Sequence, residues 1–208
     1  MEPVGATTPV LARAEDLSTI ARIRNAALAG FAMNGVAGTS IRQIAKVAGV
    51  SPGLIQHHFK TKALLREAVD THVALIATET FGRLDEIEPA ELLDEIGGRM
   101  VGLVRDHRYA FLYAVRAAAE ADKGGLDLFN AFFGFAQEHI ERLCEEGVLR
   151  SDIDRRWTAL HLIVFNLGTV LLEPAIDQHL DRPFRDPSEL QRWNEATISL
   201  FRRGIFPP

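Results

Sequence analysis

Three stretches of this chain hold residues whose types and spacing could do chemistry. Gly49-Val50-Ser51-Pro52-Gly53 spells G-x-S-x-G, the turn that exposes a nucleophilic serine in hydrolases. That turn needs a strand before the serine and a helix after it. Here the preceding residues repeat with helical spacing, and Ser51-Pro52 reads as an N-cap with proline at the first helical position. The hydrolase reading is rejected on that ground. His57 and His58 adjoin, but neighbours on a helix diverge by ~100°, so a shared metal is excluded. The third set is an exposed surface. Ile55 and Phe59 are four apart and face inward, which turns Gly53, Leu54, Gln56 and His57 outward and leaves His58 at the edge. Such a face solvates poorly but suits base edges: Gln pairs with adenine through two hydrogen bonds, and Leu meets a thymine methyl. For Gln56, a phosphate bond and no contact stand as alternatives.

Two short helices and a turn position that surface. Ser40 followed by Gln43 has capping-box spacing. Ile44, Ala45 and Ala48 line one face, and Gly49 supplies the backbone freedom of a sharp turn. The pair reads as a helix-turn-helix whose second helix is the reader. Arg42 projects from the first helix, where it can grip a guanine edge or a phosphate. Thr61 caps the next, long helix, with Lys62 in its first turn. A cation there opposes the helix dipole, and a phosphate bound at the same N-terminus would offset it. Ahead of the motif, Ile20, Ile23, Ala27, Leu28 and Phe31 mark a supporting helix that Gly35 ends in a left-handed conformation.

Charge points the same way. Between Leu17 and Arg66 stand seven Lys or Arg and no Asp or Glu, where about seven acids are expected by chance. Residues 67–208 hold 15 basic and 25 acidic residues, and the whole chain carries −5. A basic footprint on an acidic body is the electrostatic form of a nucleic-acid binder.

Residues 20–65 resemble the N-terminal domain of the TetR family of bacterial transcriptional regulators. The resemblance rests on Ile23…Ala26-Ala27…Phe31-Ala32…Gly35, on Thr39-Ser40-Ile41-Arg42…Ile44-Ala45…Ala48-Gly49-Val50-Ser51, and on Gly53…His58-Phe59…Lys62…Leu64-Leu65. Gln56 departs from it, standing where the family usually has Tyr. Residue pattern and resemblance together give the expected DNA contacts: Thr39, Ser40, Arg42, Pro52, Gly53, Leu54, Gln56, His57, His58 and Lys62. The resemblance further implies a repressor and a ligand pocket among the helices of the body.

Beyond residue 66 only helical periodicity is found, so the expected fold is all-α: an N-terminal three-helix DNA-binding domain with a helix-turn-helix and a larger C-terminal helical domain for ligand binding and dimerisation. The expected division is a flexible tail over 1–16, in which Arg13 could reach phosphate, a DNA-binding domain over 17–66 and a regulatory domain over 67–208. Within the last, Pro89 opens one helix, Gly98 and Gly102 form a GxxxG for close helix contact, Gly124-Gly125 breaks the chain, and Pro174 kinks a helix running from Asp154 to about Leu180. Asp186, Pro187 and Glu189 start the final helix, and Gly204 follows it. Phe111, Tyr113, Phe129, Phe132, Phe133, Phe135 and Phe165 concentrate aromatics in this domain, and the four Phe between 129 and 135 are more than one core seam uses; Phe111, Phe129, Phe132, Phe133 and Phe165 are singled out. With His139, His161 and Asn166 as polar anchors they are the candidate contacts for a small, mostly apolar effector. Leu160, Ile163, Val164, Leu167, Gly168 and Leu171, with Leu190, Trp193, Thr197 and Phe201, make two stripes expected to form a homodimeric four-helix interface.

Cys144 is the single cysteine, so no internal disulfide forms, and no metal-type cluster exists. No cofactor is expected. The N-terminus lacks a signal-peptide pattern, and the apolar run from Ala159 to Leu172 is shorter than the ~20 residues of a membrane span. The expected partners are an operator duplex, a second copy and an effector, with no membrane, in the cytoplasm. A regulator without a small ligand and a helical enzyme or carrier are the alternatives.

Overall fold

Side-chain caps decide where most helices begin. In the computed structural model, which describes residues 18–206 apart from Arg83, Ala90, Asp122 and the side chain of Asp85, Ser18 accepts from Ala21 N and opens α1 (Thr19–Gly38). Ser40 and Gln43 form the full capping box of α2 (Ile41–Ala48). Ser51 accepts from Leu54 N to start α3 (Pro52–Phe59), and Thr61 accepts from Leu64 N to start α4 (Lys62–Phe81). Each such cap satisfies an otherwise orphaned amide and is worth about 1 kcal/mol. The expected tail over 1–16, with Arg13, lies outside the described residues.

The described residues divide into two compact units, one up to His72 and one from Val73, and the division falls inside α4. In the first unit α1 packs on α2 and α2 on α3. Ile23, Phe31, Ile44, Ile55, Leu65 and Val69 are completely or almost completely buried, each such side chain contributing ~1.5–3 kcal/mol. Gly49, at φ 66° and ψ 38°, makes the left-handed turn between α2 and α3. Gly35 also breaks its helix, but at φ 74° and ψ 164° it is extended rather than left-handed helical, and a further turn runs on to Gly38. Only glycine tolerates that conformation without strain.

The second unit contains α5 (Leu92–Asp106), α6 (Arg108–Ala119), α7 (Lys123–Glu145), α8 (Arg155–Leu171), the short α9 (Glu173–Ile176) and α10 (Pro187–Ile205). There is no strand among the described residues. Helix α7 packs on α6 and α8, α6 also on α5 and α8, and α10 on α5. Arg99 closes the C-terminal end of α4, donating through Nη1 to the carbonyls of Thr80 at 3.1 Å and Gly82 at 2.7 Å, where a cation complements the helix dipole. Glu173 is buried and receives both Arg185 and Arg108, which ties α9 to the start of α6.

Several local expectations change here. Gly98 and Gly102 face open space; the close contact belongs to Gly97, whose added Cβ would meet Asn194 and Ile198 of α10. The α6–α7 break falls at Ala121, with φ 51°, while Gly125 lies within α7 against the backbone of Ala117. Pro174 ends α8 outright, and the following segment turns away by 69°. Glu189 makes no capping box with Asp186 but pairs with Arg192. Helix α10 continues through Gly204 to Ile205. No single helix among the described residues is long and apolar enough to cross a membrane.

Candidate nucleic-acid interface and ligand cavity

The reader surface follows from α3 having a single fully buried side chain, Ile55. Phe59 is half-buried, and Pro52, Gly53, Leu54, Gln56, His57 and His58 are exposed on the remaining face. The two imidazoles meet edge to face with centroids 5.3 Å apart, so they point in different directions rather than at a common ion. Arg42 is exposed near the start of α2, and Lys62 is half-buried at the start of α4.

Among the described residues unpaired cations predominate in this unit, although Arg156 and Arg203 of the second unit are also unpaired. Arg22, Arg24, Arg42, Lys46, Lys60 and Lys62 make no side-chain hydrogen bond or ion pair among the described residues, whereas Arg66 pairs with Asp70. In the second unit, Arg99, Arg105, Arg108, Arg116, Arg150, Arg182, Arg185, Arg192 and Arg202 all pair with carboxylates. Burial pushes the Arg24 guanidinium below its ordinary value, yet it stays charged at neutral pH. Six cations without counter-charges among the described residues are disposed to take external anions.

Two of the expected DNA contacts are engaged elsewhere. Thr39 is 2% exposed, and its Oγ1 donates to the Gly35 carbonyl at 2.9 Å. Its methyl lies 2.7 Å from the position a Cβ on Gly30 would take, closer than two non-bonded carbons can approach. Thr39 is therefore a buried joint between α1 and α2, not an outward-facing contact. Ser40 is exposed, but its hydroxyl accepts from Gln43 N and donates to Gln43 Oε1, so its proton is already committed to the cap.

A cavity of about 120 Å³ lies within the second unit, far larger than the ~10–15 Å³ one water needs. Of the expected ligand contacts, Phe111, Phe132, His139 and Asn166 line it. Phe129, Phe133, His161 and Phe165 do not: His161 is exposed and stacks on Trp157, and Phe165 is exposed against Phe201. The lining also includes Phe81, the last residue of α4, which contacts Phe132 and Phe135. The α5 side chains Leu92, Leu93, Ile96 and Met100 complete one wall. These four recur at helical spacing in the sequence, and such a stripe reads alike whether it fills a core or walls a cavity. Among the described residues no group of His, Cys, Asp or Glu could hold a metal ion.

The expected dimer stripes are redistributed as well. Ile163 and Leu167 line the cavity, and Leu160 and Gly168 are half-buried. Leu190 and Phe201 are buried within the protomer, and Trp193 packs on Phe184 at 5.3 Å, with Thr197 half-buried beyond it. Val164 and Leu171 do face outward, and with Trp157, Phe165, Leu172 and Leu200 they are 43–57% exposed.

A basic three-helix unit with an exposed second motif helix, joined in one chain to a helical body holding an apolar cavity, defines a helix-turn-helix regulator. Residues 23–69 match the model of bacterial regulatory proteins, tetR family. The chain is 30% identical over 161 residues to the HTH-type transcriptional regulatory protein RaaS of Mycobacterium tuberculosis, covering 77% of this chain and 73% of that protein. Its fold is similar to that of the ketosteroid transcriptional regulator KstR2 of Mycobacterium tuberculosis, with a TM-score of 0.71 and 20% identity over 92% of this chain and 96% of that one. It is also similar to the fatty acid degradation regulator FadR of Bacillus halodurans, with a TM-score of 0.69 and 16% identity over 89% and 95% of the two chains. The chain belongs to the tetR family of bacterial regulatory proteins, and it is a DNA-binding transcriptional regulator.

Proposed function

We propose that the protein is a dimeric repressor that reads an inverted-repeat operator and is released from it by a small, mostly apolar effector bound in the body cavity. The observation that carries the DNA side is that six cations of the first unit have no internal partner among the described residues, in the same unit as the exposed face of α3. Arg42, Gly53, Leu54, Gln56 and His57 meet base edges; Pro52, His58 and Lys62 meet the backbone, with Ser40 joining them if its cap reopens. Lys62 in the first turn of α4 supplies counter-charge for a phosphate at that N-terminus. Two readers must stand about 34–36 Å apart to occupy successive major grooves. A two-fold pair joined through the exposed apolar side of α8 supplies the second reader. A ligand acts only through its different affinity for two states, and α4 offers the route, since Lys62 begins it and cavity-lining Phe81 ends it.

Selection of bound duplexes from genomic fragments, followed by variants, tests the reading. Arg42→Ala should lose ~1–3 kcal/mol and relax one position of the site. Lys62→Ala should weaken every sequence alike and lower the salt slope by about 0.9 per subunit. Full-affinity binding by the double variant overturns the DNA assignment. Val164→Glu should yield monomers in sedimentation; an intact dimer places the interface elsewhere.

A further inference from the structure

The cavity of the proposed effector site has a chemical signature of its own, and the following rests on that reading. Twenty of the described residues line it, and none of these is Lys, Arg, Asp or Glu. The polar side chains among them are His139 and Asn166. Both are tied to carbonyls one turn back on their own helices. Asn166 Nδ2 donates to Leu162 O at 2.7 Å, and His139 Nδ1 lies 2.9 Å from Phe135 O. A carbonyl only accepts, so these bonds fix the orientation of both groups. In Asn166 the nitrogen faces Leu162, and Oδ1 makes no hydrogen bond among the described residues. In a neutral His139 ring the proton sits on Nδ1, and Nε2 is an acceptor. Asn166 Oδ1 and, on a neutral ring, His139 Nε2 thus make the polar edge of the cavity acceptor in character.

We infer that the effector is an uncharged lipophile bearing one hydroxyl group, which donates its proton to Asn166 Oδ1 while the hydrocarbon fills the apolar remainder of the cavity. An ionised carboxylate has no proton to give and would be buried without a cation. An ammonium has protons but would be buried without an anion. An ether or hydrocarbon of the same size fills the volume but leaves Oδ1 unmatched.

Calorimetry on the full-length protein with matched probes tests this: 1-decanol, methyl nonyl ether, decanoate, decylamine and the coenzyme A thioester of decanoate. At pH 8, 1-decanol should bind at least about tenfold more tightly than each of the others, the ratio that 1.4 kcal/mol represents. Asn166→Leu should bring 1-decanol down to the level of the ether while ether binding persists, which also shows that the variant is folded. Asn166→Asp should shift the preference from 1-decanol to decylamine. Decanoate or its thioester binding as tightly as 1-decanol at pH 8 overturns the inference, as does a preference that survives Asn166→Leu, or no binding of 1-decanol up to its solubility limit. Operator release is read separately by fluorescence anisotropy. Selective 1-decanol binding without release upholds the ligand class and refutes the effector role.

Discussion

The joint between Gly30 and Thr39 makes a quantitative test of how the reader is held. Thr39 has two functions in the structure: its hydroxyl donates to the Gly35 carbonyl, and its methyl occupies the space beside Gly30. Thr39→Val keeps the shape and deletes the donor, which costs about 1–3 kcal/mol if the buried carbonyl is left unmatched. Thr39→Ser keeps the donor and deletes one buried methyl, worth roughly 1 kcal/mol. Gly30→Ala gains about 1 kcal/mol of helix propensity, but its Cβ would stand 2.7 Å from the Thr39 methyl, so overpacking of about 1–3 kcal/mol outweighs the gain. Combining Gly30→Ala with Thr39→Ser removes the obstructing methyl and puts a new one almost in its place. The double variant should therefore approach or exceed wild-type stability, with a coupling on the order of 1–3 kcal/mol in its favour. Thermal unfolding reads these changes, at roughly 2–4 °C per kcal/mol for a chain of this size. Operator affinity is measured on the same variants at a temperature where all are folded. Additive effects of the two substitutions would refute the packing argument. A tenfold affinity loss for Thr39→Val at unchanged melting temperature would return Thr39 to the DNA surface.

Other consequences concern the body. Gly125→Ala should destabilise by about 2 kcal/mol or more, since its Cβ would lie 2.1 Å from the Ala117 carbonyl group. Gly98→Ala and Gly102→Ala meet nothing within 4 Å and should stabilise by about 0.5–1 kcal/mol each in urea titrations; equal signs at all three positions would refute the contact assignment. Glu173→Gln should cost about 1–3 kcal/mol, below the 3–5 expected for a fully buried pair, because Arg185 is 51% exposed, and hydrogen exchange should increase first in α9. Burial pushes the Cys144 thiol above its ordinary value, so at pH 7.5 a disulfide reagent should label the native protein more slowly than the urea-unfolded chain by at least about tenfold.

What the sequence made legible was governed by neighbours in the chain. Ser40 with Gln43, Ser51 with Pro52, Thr61, Asp154, and Asp186 with Pro187 place helix starts because a cap is decided within three or four residues. The outward face of α3 was equally legible, since Ile55 and Phe59, four apart, fix the rotation of an eight-residue helix. The acid-free interval from Leu17 to Arg66 needed only counting. Thr39 was misplaced because a threonine before a capping box looks exposed, and nothing local reveals that Gly30 lacks a side chain to make room for it. Gly98 and Gly102 matched a contact motif, yet Gly97 carries the contact, because which of these three glycines faces α10 depends on the rotation of α5. Phe129 and Phe133 differ from Phe132 and Phe135 only by their angle around α7, and that angle has meaning once α6 and α8 are in place.

Helix α8 shows why two kinds of apolar surface were merged into one expected stripe. A helix apolar on nearly every side is normally enclosed on every side. On one side of α8, Leu162, Ile163, Asn166 and Leu167 line the cavity; on another, Trp157, Val164, Phe165 and Leu171 meet solvent. Read by spacing alone, Ile163 and Val164 are adjacent members of one stripe, although they differ by ~100° around the helix. In an isolated protomer the outer side leaves four large side chains about half exposed, and covering them would recover on the order of 1 kcal/mol each. The proposed dimer provides that cover. Under the proposed function a single helix then separates the effector from the partner subunit. A hydroxyl bound at Asn166 cannot displace or rotate that turn of α8 without carrying Phe165 with it. The pairing of the two subunits, and with it the spacing of the two readers, is therefore exposed to the ligand through α8 as well as through Phe81 at the end of α4.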